Sequence, residues 1–183
     1  MSDVTQLLRQ IESGDTAARD ALFSLLYPEL RKLARSRLRR VEPITLLDTT
    51  SLMHESYLRF VKAHSLNFQD RGQFFAFAAS VMHSIVVDEV RKRRSERRGG
   101  DSEHVELDAE EVDALQGDER QILRVHDALR DLAALEPRLA QVVEMRYFAG
   151  MTEAEIAAAL GLTERTVRRD WDKARTLLLV ALT

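Results

Sequence analysis

The chain has 183 residues, enough for one large domain or two small ones. Hydrophobic residues make up 45% and charged residues 31%, with only 7 Gly and 3 Pro, a composition that suits a helical, core-forming chain and leaves little material for a turn-rich β-sandwich. There is no Cys, which excludes disulfide frameworks, thiol nucleophiles and thiolate metal sites. No apolar run approaches the ~20 residues of a membrane span. Met1-Ser2-Asp3 lacks the cationic and apolar regions of a signal peptide, so the expected location is the cytoplasm, with no membrane partner.

The net charge of −3 argues on its face against a nucleic-acid partner. Its distribution reverses that reading. Residues 101–119 hold nine acids and no Lys or Arg, and without those nine charges the net becomes +6. The positive charge is clustered as well. Residues 31–40 carry Arg31, Lys32, Arg35, Arg37, Arg39 and Arg40, and residues 91–98 carry Arg91, Lys92, Arg93, Arg94, Arg97 and Arg98. Arg165, Arg168, Arg169, Lys173 and Arg175 form a third set. Basic clusters of this kind are the footprint of phosphate binding, because neutralising phosphates releases condensed counterions. The acidic tract is either a solvated tether or a cover for these basic surfaces in the protein alone.

Taken in chain order, Val4, Leu7, Leu8 and Ile11 predict an amphipathic helix ended by Gly14. Asp15 is placed to cap a second helix with Leu22, Leu26, Leu30 and Leu33 on one stripe, and Pro28 predicts a kink or break near Tyr27. Met53, Tyr57, Phe60 and Val61 share a third helical face. Arg71-Gly72 marks a turn, after which Phe74, Phe77, Ala78, Val81 and Ile85 begin a face that runs into the second basic cluster. Gly99-Gly100 and the acidic tract predict a flexible linker over 99–119. A helical pattern returns near Ile122, and Pro137 suits the first turn of the next helix, closed by Gly150. The reading is all-α: helical domains over 1–98 and 120–183, joined by that linker.

Residues 152–163 read as a helix-turn-helix. Thr152 and Glu155 form a capping box, Ile156 and Leu160 face a core, Ala157 permits a close helix crossing, and Gly161 supplies a positive-φ turn. Thr163 caps a second helix whose Val167, Trp171 and Ala174 point inward. Its outward residues, Glu164, Arg165, Thr166, Arg168, Arg169 and Lys173, match a recognition helix at a major groove. In the N-terminal half, the aromatics and the Arg/Lys end of 74–94 suit single-stranded DNA, aromatic faces stacking bases while the basic end holds the backbone.

In this order the motifs resemble an extracytoplasmic-function (ECF) sigma factor of bacterial RNA polymerase, over nearly the whole chain. Leu52-Met53-His54-Glu55-Ser56-Tyr57-Leu58-Arg59 resembles region 2.2, the helix that docks on the polymerase β′ clamp helices. Phe74-Phe75-Ala76-Phe77-Ala78 resembles region 2.3, and Ser84 to Arg93 resembles region 2.4. Glu136-Pro137-Arg138 through Arg146-Tyr147-Phe148-Ala149-Gly150-Met151-Thr152 and on to Arg175 resembles region 4.

The resemblance implies that Asp48, Thr49, Thr50, Ser51, Leu52 and Glu55 meet core polymerase. It places Phe74, Phe75, His83, Ser84, Arg91, Lys92, Arg93 and Arg94 on the −10 DNA. It assigns Thr163, Glu164, Arg165, Thr166, Arg168, Arg169 and Lys173 to the −35 DNA, with the C-terminal domain also meeting the β flap. It implies no catalytic residue, metal, cofactor or small-molecule substrate, since the polymerase does the chemistry.

Two positions depart from the family. Ser84 stands where an Asn usually helps hold the flipped −10 base, a step that costs a few kcal/mol of unstacking. Asp48-Thr49-Thr50-Ser51 stands where the pattern is Asp-x-Glu-Asp, so two carboxylates have become hydroxyls. Either Asp48 suffices, with Thr50 or Ser51 as helix cap, or a Ser/Thr kinase restores the charge by phosphorylating Thr50, Thr49 or Ser51. An anti-sigma factor is a further controlling partner left open.

A helix-turn-helix regulator working without polymerase is the main alternative, but the N-terminal half shows neither a dimerisation nor a receiver pattern. An enzyme would need a phosphate loop, a zinc motif or a nucleophile elbow, and none is present. His54, His64, His83, His104 and His126 are expected at solvated positions.

Overall fold

The computed structural model describes residues 3–39, 41, 45, 47–64, 66–98 and 109–183. Among them the chain is all-α, with eight α-helices, one π-helical turn and no strand. Helix α1 (Asp3–Glu12) buries Val4, Leu8 and Ile11, as its periodicity predicts, and Gly14 follows at φ +91°. Helix α2 (Thr16–Leu38) is capped by Asp15, whose carboxylate accepts from the amides of Ala17 at 2.9 Å and Ala18 at 3.4 Å. Leu22, Leu26, Leu30, Ala34 and Leu38, spaced four apart, form its buried edge.

Of the kink or break expected at Pro28, the break does not occur: α2 runs continuously through it. Proline removes the bond to the carbonyl four residues earlier. Here Ser24 and Pro28 both lie on the exposed side, so the carbonyl that loses its partner faces solvent. Helix α3 (Thr49–Lys62) packs Leu52, Met53, Ser56 and Phe60 against α2 and against α4 (Arg71–Arg98). An aromatic cluster fills the junction: Phe60 and Phe68 approach Phe74 at 5.4 and 5.6 Å between centroids, both edge-to-face, and Phe23 meets Tyr57 at 5.1 Å.

Helix α5 (Ala109–Leu135) corrects the flexible linker of 99–119: residues 109–119 are helical, and 99–108 lie outside the described residues. Asp and Glu in the first turns of a helix are favoured by the backbone dipole, so an acidic run there starts a helix as readily as it extends a coil. Pro137 opens α6 (Pro137–Val143), which passes into a π-helical turn over Glu144–Phe148. The Ala149 amide donates to the Glu144 carbonyl at 3.0 Å, and Gly150 leaves the helix at φ +67°. Helices α7 (Glu153–Leu160) and α8 (Glu164–Leu182) complete the chain.

The two halves are in direct contact along one stripe of α4. A Cβ on Gly72 would come within 3.1 Å of Met151 Cε, so this position, expected as a turn, is the second residue of α4 and accommodates a close approach. The Gln73 amide group donates to the Ala159 carbonyl at 2.9 Å, and Ala76 and Ala79 are buried among C-terminal residues. Further along the stripe, the His83 ring lies 4.3 Å from Phe148, and its Nε2 is 3.3 Å from His126 Nδ1.

His83 and His126 therefore occupy a shared contact rather than the solvated positions expected for them. His104 lies outside the described residues.

This contact is pH-dependent. Burial, with His126 and the Arg37 guanidinium from α2 facing the ring, lowers the His83 pKa to about 4. Burial lowers His126 as well, with Arg91 and Arg130 pushing the same way against Asp127 and Asp88. Both groups are held neutral in the folded state, so the unfolded chain binds more protons below the ordinary value of 6.5. Stability should be fully present above pH 6.5 and fall as pH drops towards about 4. Thermal melts of the wild type and of His83→Phe across that window check this; the variant should show the shallower pH slope.

Candidate nucleic-acid interface

The C-terminal motif is built from local signals that agree. The Thr152 hydroxyl accepts from the Glu155 amide at 3.2 Å, while the Glu155 carboxylate accepts from the Thr152 amide at 2.8 Å. Gly161 sits at φ +65° in the left-handed region, and the Thr163 hydroxyl caps α8 through the Thr166 amide at 3.2 Å. Ile156, Ala157, Val167 and Ala174 are buried, so α8 is held at a fixed angle by its inner face. Trp171 is half-buried, with the Arg146 guanidinium over its ring at 5.0 Å.

Two ion-pair assemblies that sequence reasoning missed hold this geometry. Glu153, at the start of α7, accepts from Arg146 at 2.9 Å and from Arg168 at 3.1 and 2.8 Å. The Arg168 and Arg146 hydrogen bonds hold the Glu153 carboxyl below its ordinary range, and the same bond raises Arg168. Arg138 on α6 reaches across to Asp170 on α8 with contacts of 2.7 and 3.2 Å, and Asp170 is buried. Only spacing along an already drawn helix would have indicated Asp170, because it follows two exposed arginines.

The expected −35 residues therefore divide. Glu164, Arg165 and Arg169 are exposed on the first two turns of α8, Arg169 with 73% of its side chain accessible. Thr163 and Thr166 are engaged in capping, their hydroxyls 3.0 Å apart. Arg168 ties α8 to α7, and Lys173 pairs with Glu136 at 2.7 Å.

On the N-terminal half, Phe74 is 1% exposed and packs inside the aromatic cluster, which corrects its expected role as a base-stacking face. Phe75 is half-buried, with the Arg71 guanidinium over its ring at 5.2 Å. His83 faces the C-terminal half, so its expected place on DNA is corrected for the arrangement described here. Ser84 accepts from Arg59 Nη1 at 3.0 Å, and the same guanidinium donates to Asp88 at 2.8 Å and Glu55 at 3.4 Å. Arg59 thus supplies donors beside the short Ser84 side chain. Arg91 approaches Asp127 at 3.8 Å, Lys92 approaches Glu96 at 4.0 Å, and Arg93 approaches Glu89 at 3.9 Å. Arg94 is half-buried, and Arg97 pairs with the buried Glu119 of α5.

At the start of α3, Asp48 is the N-cap and accepts from the Ser51 amide at 2.7 Å, which lowers its pKa. The cap is therefore Asp48 rather than Thr50 or Ser51. Thr49 is half-buried, whereas Thr50 and Ser51 are exposed on the first turn. Leu52 is 0% exposed and belongs to the core, which removes it from the expected polymerase contacts; Glu55 stays accessible beside Arg59.

Comparison with curated proteins gives no match. The family model for the ECF sigma factor matches residues 1–183, the whole chain. The helix-turn-helix, its caps and the order of the helices agree with that match, and the chain belongs to the ECF sigma factors, promoter-specific transcription initiation factors that bind core RNA polymerase and promoter DNA and are not enzymes.

Proposed function

We propose that α1–α4, residues 1–98, dock on the β′ clamp helices of core polymerase, help melt the −10 element and capture its non-template strand. The C-terminal residues 120–183 read the −35 duplex through α8 and meet the β flap. The observation that carries this reading is the doubly capped helix-turn-helix, which presents Arg165 and Arg169 on an exposed face at the start of α8. Phosphate contacts on the −10 strand fall to Arg91, Lys92, Arg93 and Arg94, with Ser84 and Arg59 beside the extruded base. The protein works in the cytoplasm, where polymerase and DNA are.

Core polymerase with this protein should start transcripts at specific promoters in vitro. Transcription at the same promoters by core enzyme alone, or duplex protection by this protein without polymerase, would favour a helix-turn-helix regulator instead. Within the recognition helix, Arg169→Ala and Arg165→Ala should each weaken −35 binding by about 1–3 kcal/mol wherever the side chain reaches a base edge. Competition among −35 variants checks this. A phosphate contact would lower the salt slope and leave sequence preference unchanged.

Polymerase binding is regulated at Thr50, with Ser51 and Thr49 as further candidates for a Ser/Thr kinase. Asp48 already caps α3, so the exposed hydroxyls of Thr50 and Ser51 are not needed for capping. A phosphoryl group there adds about −1.5 to −2 charge beside the positive end of the helix dipole. Core-polymerase affinity should rise from unmodified protein to Thr50→Asp to phosphoprotein; equal affinity for all three sinks the switch.

A further inference from the structure

We propose that Lys32, Arg35 and Arg39, on the outward face of α2 near its C-terminal end, form a third nucleic-acid surface, which holds the phosphate backbone of duplex DNA beside the segment opened at α4. This rests on the reading of α4 as the −10 helix, and it gives a role to the basic cluster of residues 31–40, which that reading leaves unused.

The helix period sorts the cations of that cluster. Leu30, Ala34 and Leu38 are buried on the inner edge of α2. Lys32, Arg35 and Arg39 follow one another at i, i+3 and i+7, which puts them on one face, and all three are exposed. Arg31 and Arg37 are half-buried and used within the fold. Arg31 Nη1 donates to the Tyr27 hydroxyl at 3.4 Å, and Arg37 Nη2 donates to the Tyr147 and Phe148 carbonyls at 2.7 and 2.6 Å. Arg40 lies outside the described residues. From Lys32 to Arg39 the helix rises roughly 10 Å, the axial length of about three successive phosphates on one strand of a duplex.

Elsewhere cations are largely answered within the chain. Arg91, Lys92, Arg93 and Arg97 on α4 each approach a carboxylate, as do Arg138, Arg168 and Lys173 in the C-terminal half. Among the described residues, no carboxylate comes within ion-pair distance of Lys32, Arg35 or Arg39. They also repel one another, since like charges at i,i+3 and i,i+4 destabilise a helix. The helix dipole favours cations within the last turn, which holds Arg35 and Arg37 but not Lys32. Nothing in the fold therefore calls for three charges on this face, and an external polyanion relieves their repulsion.

The occupant follows from what the face carries and what it lacks. The exposed residues of 31–39 are Lys32, Arg35, Ser36 and Arg39, none of them apolar. A protein partner needs apolar or aromatic anchors at the centre of its contact, whereas a phosphate backbone needs spaced cations. Cations without aromatic side chains suit paired rather than unstacked bases. Position then selects the DNA next to α4. Arg71 of α4 pairs with Glu29, and further along both helices Arg37 and His83 flank the same Phe148 ring. The two helices thus run the same way, with Leu38 and Val86 in one core, and their basic stretches lie towards the same end of the N-terminal half. A segment opened at α4 has duplex directly beside it, within reach of α2.

The test compares three full-length chains, each bound to core polymerase: the wild type, a neutral variant (Lys32→Gln, Arg35→Gln, Arg39→Gln) and a charge-keeping variant (Lys32→Arg, Arg35→Lys, Arg39→Lys). Promoter affinity is measured across a range of salt. The neutral variant should lower the slope of log affinity against log salt by roughly one per residue, and weaken binding at low salt by roughly tenfold or more, equally for promoters of different sequence. The charge-keeping variant should match the wild type. Thermal melts and affinity for core polymerase should be the same for all three chains, because the side chains are exposed. The same salt series with each chain alone on random-sequence duplex reads the surface without promoter function.

An unchanged salt slope for the neutral variant on both DNAs overturns the phosphate surface. Weaker core-polymerase binding with an unchanged slope also overturns it and assigns the face to a protein contact. A loss confined to one promoter sequence marks base reading instead and overturns it too. Failure of the wild-type protein to direct core polymerase would defeat the promoter reading, while the slope on random-sequence duplex would still decide whether α2 binds phosphates.

Discussion

Helix α4 has to satisfy three neighbours at once, and the rest of the molecule is arranged around that constraint. Phe74, Ala78, Met82 and Ile85 belong to the core made with α2 and α3. Gly72, Ala76, Ala79 and His83 form a second stripe, narrow enough in its first three members for the C-terminal half to approach closely. Ser84, Asp88, Arg91 and Lys92 remain for solvent or a ligand. By length and composition α4 is apolar enough to cross a membrane, yet its apolar residues are divided between two protein cores. A helix with two buried faces reads as hydrophobic nearly all round, so its sequence alone does not say which face meets what.

What was legible in the sequence was what local chemistry decides. Asp15, Thr152, Glu155, Gly161 and Thr163 act within three or four residues of themselves, and each does what its position predicts. The misreadings share a different cause. Phe74 and Phe75 are adjacent aromatics, and only the packing of Phe60 and Phe68 decides that the first is interior. His83 looked solvated because its partners, Phe148 and His126, lie far along the chain. Pro28 signals a break by its own chemistry, and the outward orientation that removes the penalty belongs to the assembled helix. The acidic residues after 108 carry the composition of a tether, whereas their place at the start of α5 supplies the dipole that favours them.

The candidate site was legible in a similar proportion. Arginines stood out as a class, but their division of labour did not. Arg165 and Arg169 face outward as expected of readers, whereas Arg168 and Arg146 share Glu153 and Arg138 is spent on buried Asp170. The Arg168–Glu153 pair joins α8 to α7 and the Arg138–Asp170 pair joins α8 to α6, and a recognition helix depends on the angles so held as much as on its exposed side chains. A buried carboxylate such as Asp170 is costly unless matched, and the two-point contact from Arg138 is the arrangement that offsets its desolvation.

The same accounting explains why the net charge of −3 is compatible with DNA binding. Glu119 and Asp127 lie against Arg97 and Arg91, so part of the acidic charge answers the basic charge locally instead of repelling DNA at a distance. The exposed Arg91–Asp127 pair contributes little to stability and weakens further with salt, whereas Arg97 meets a buried carboxylate that is costly to leave unpaired. The contact between the halves is apolar as well as polar: Ala76 and Ala79 of α4 are buried among C-terminal residues, and the His83 ring rests on Phe148.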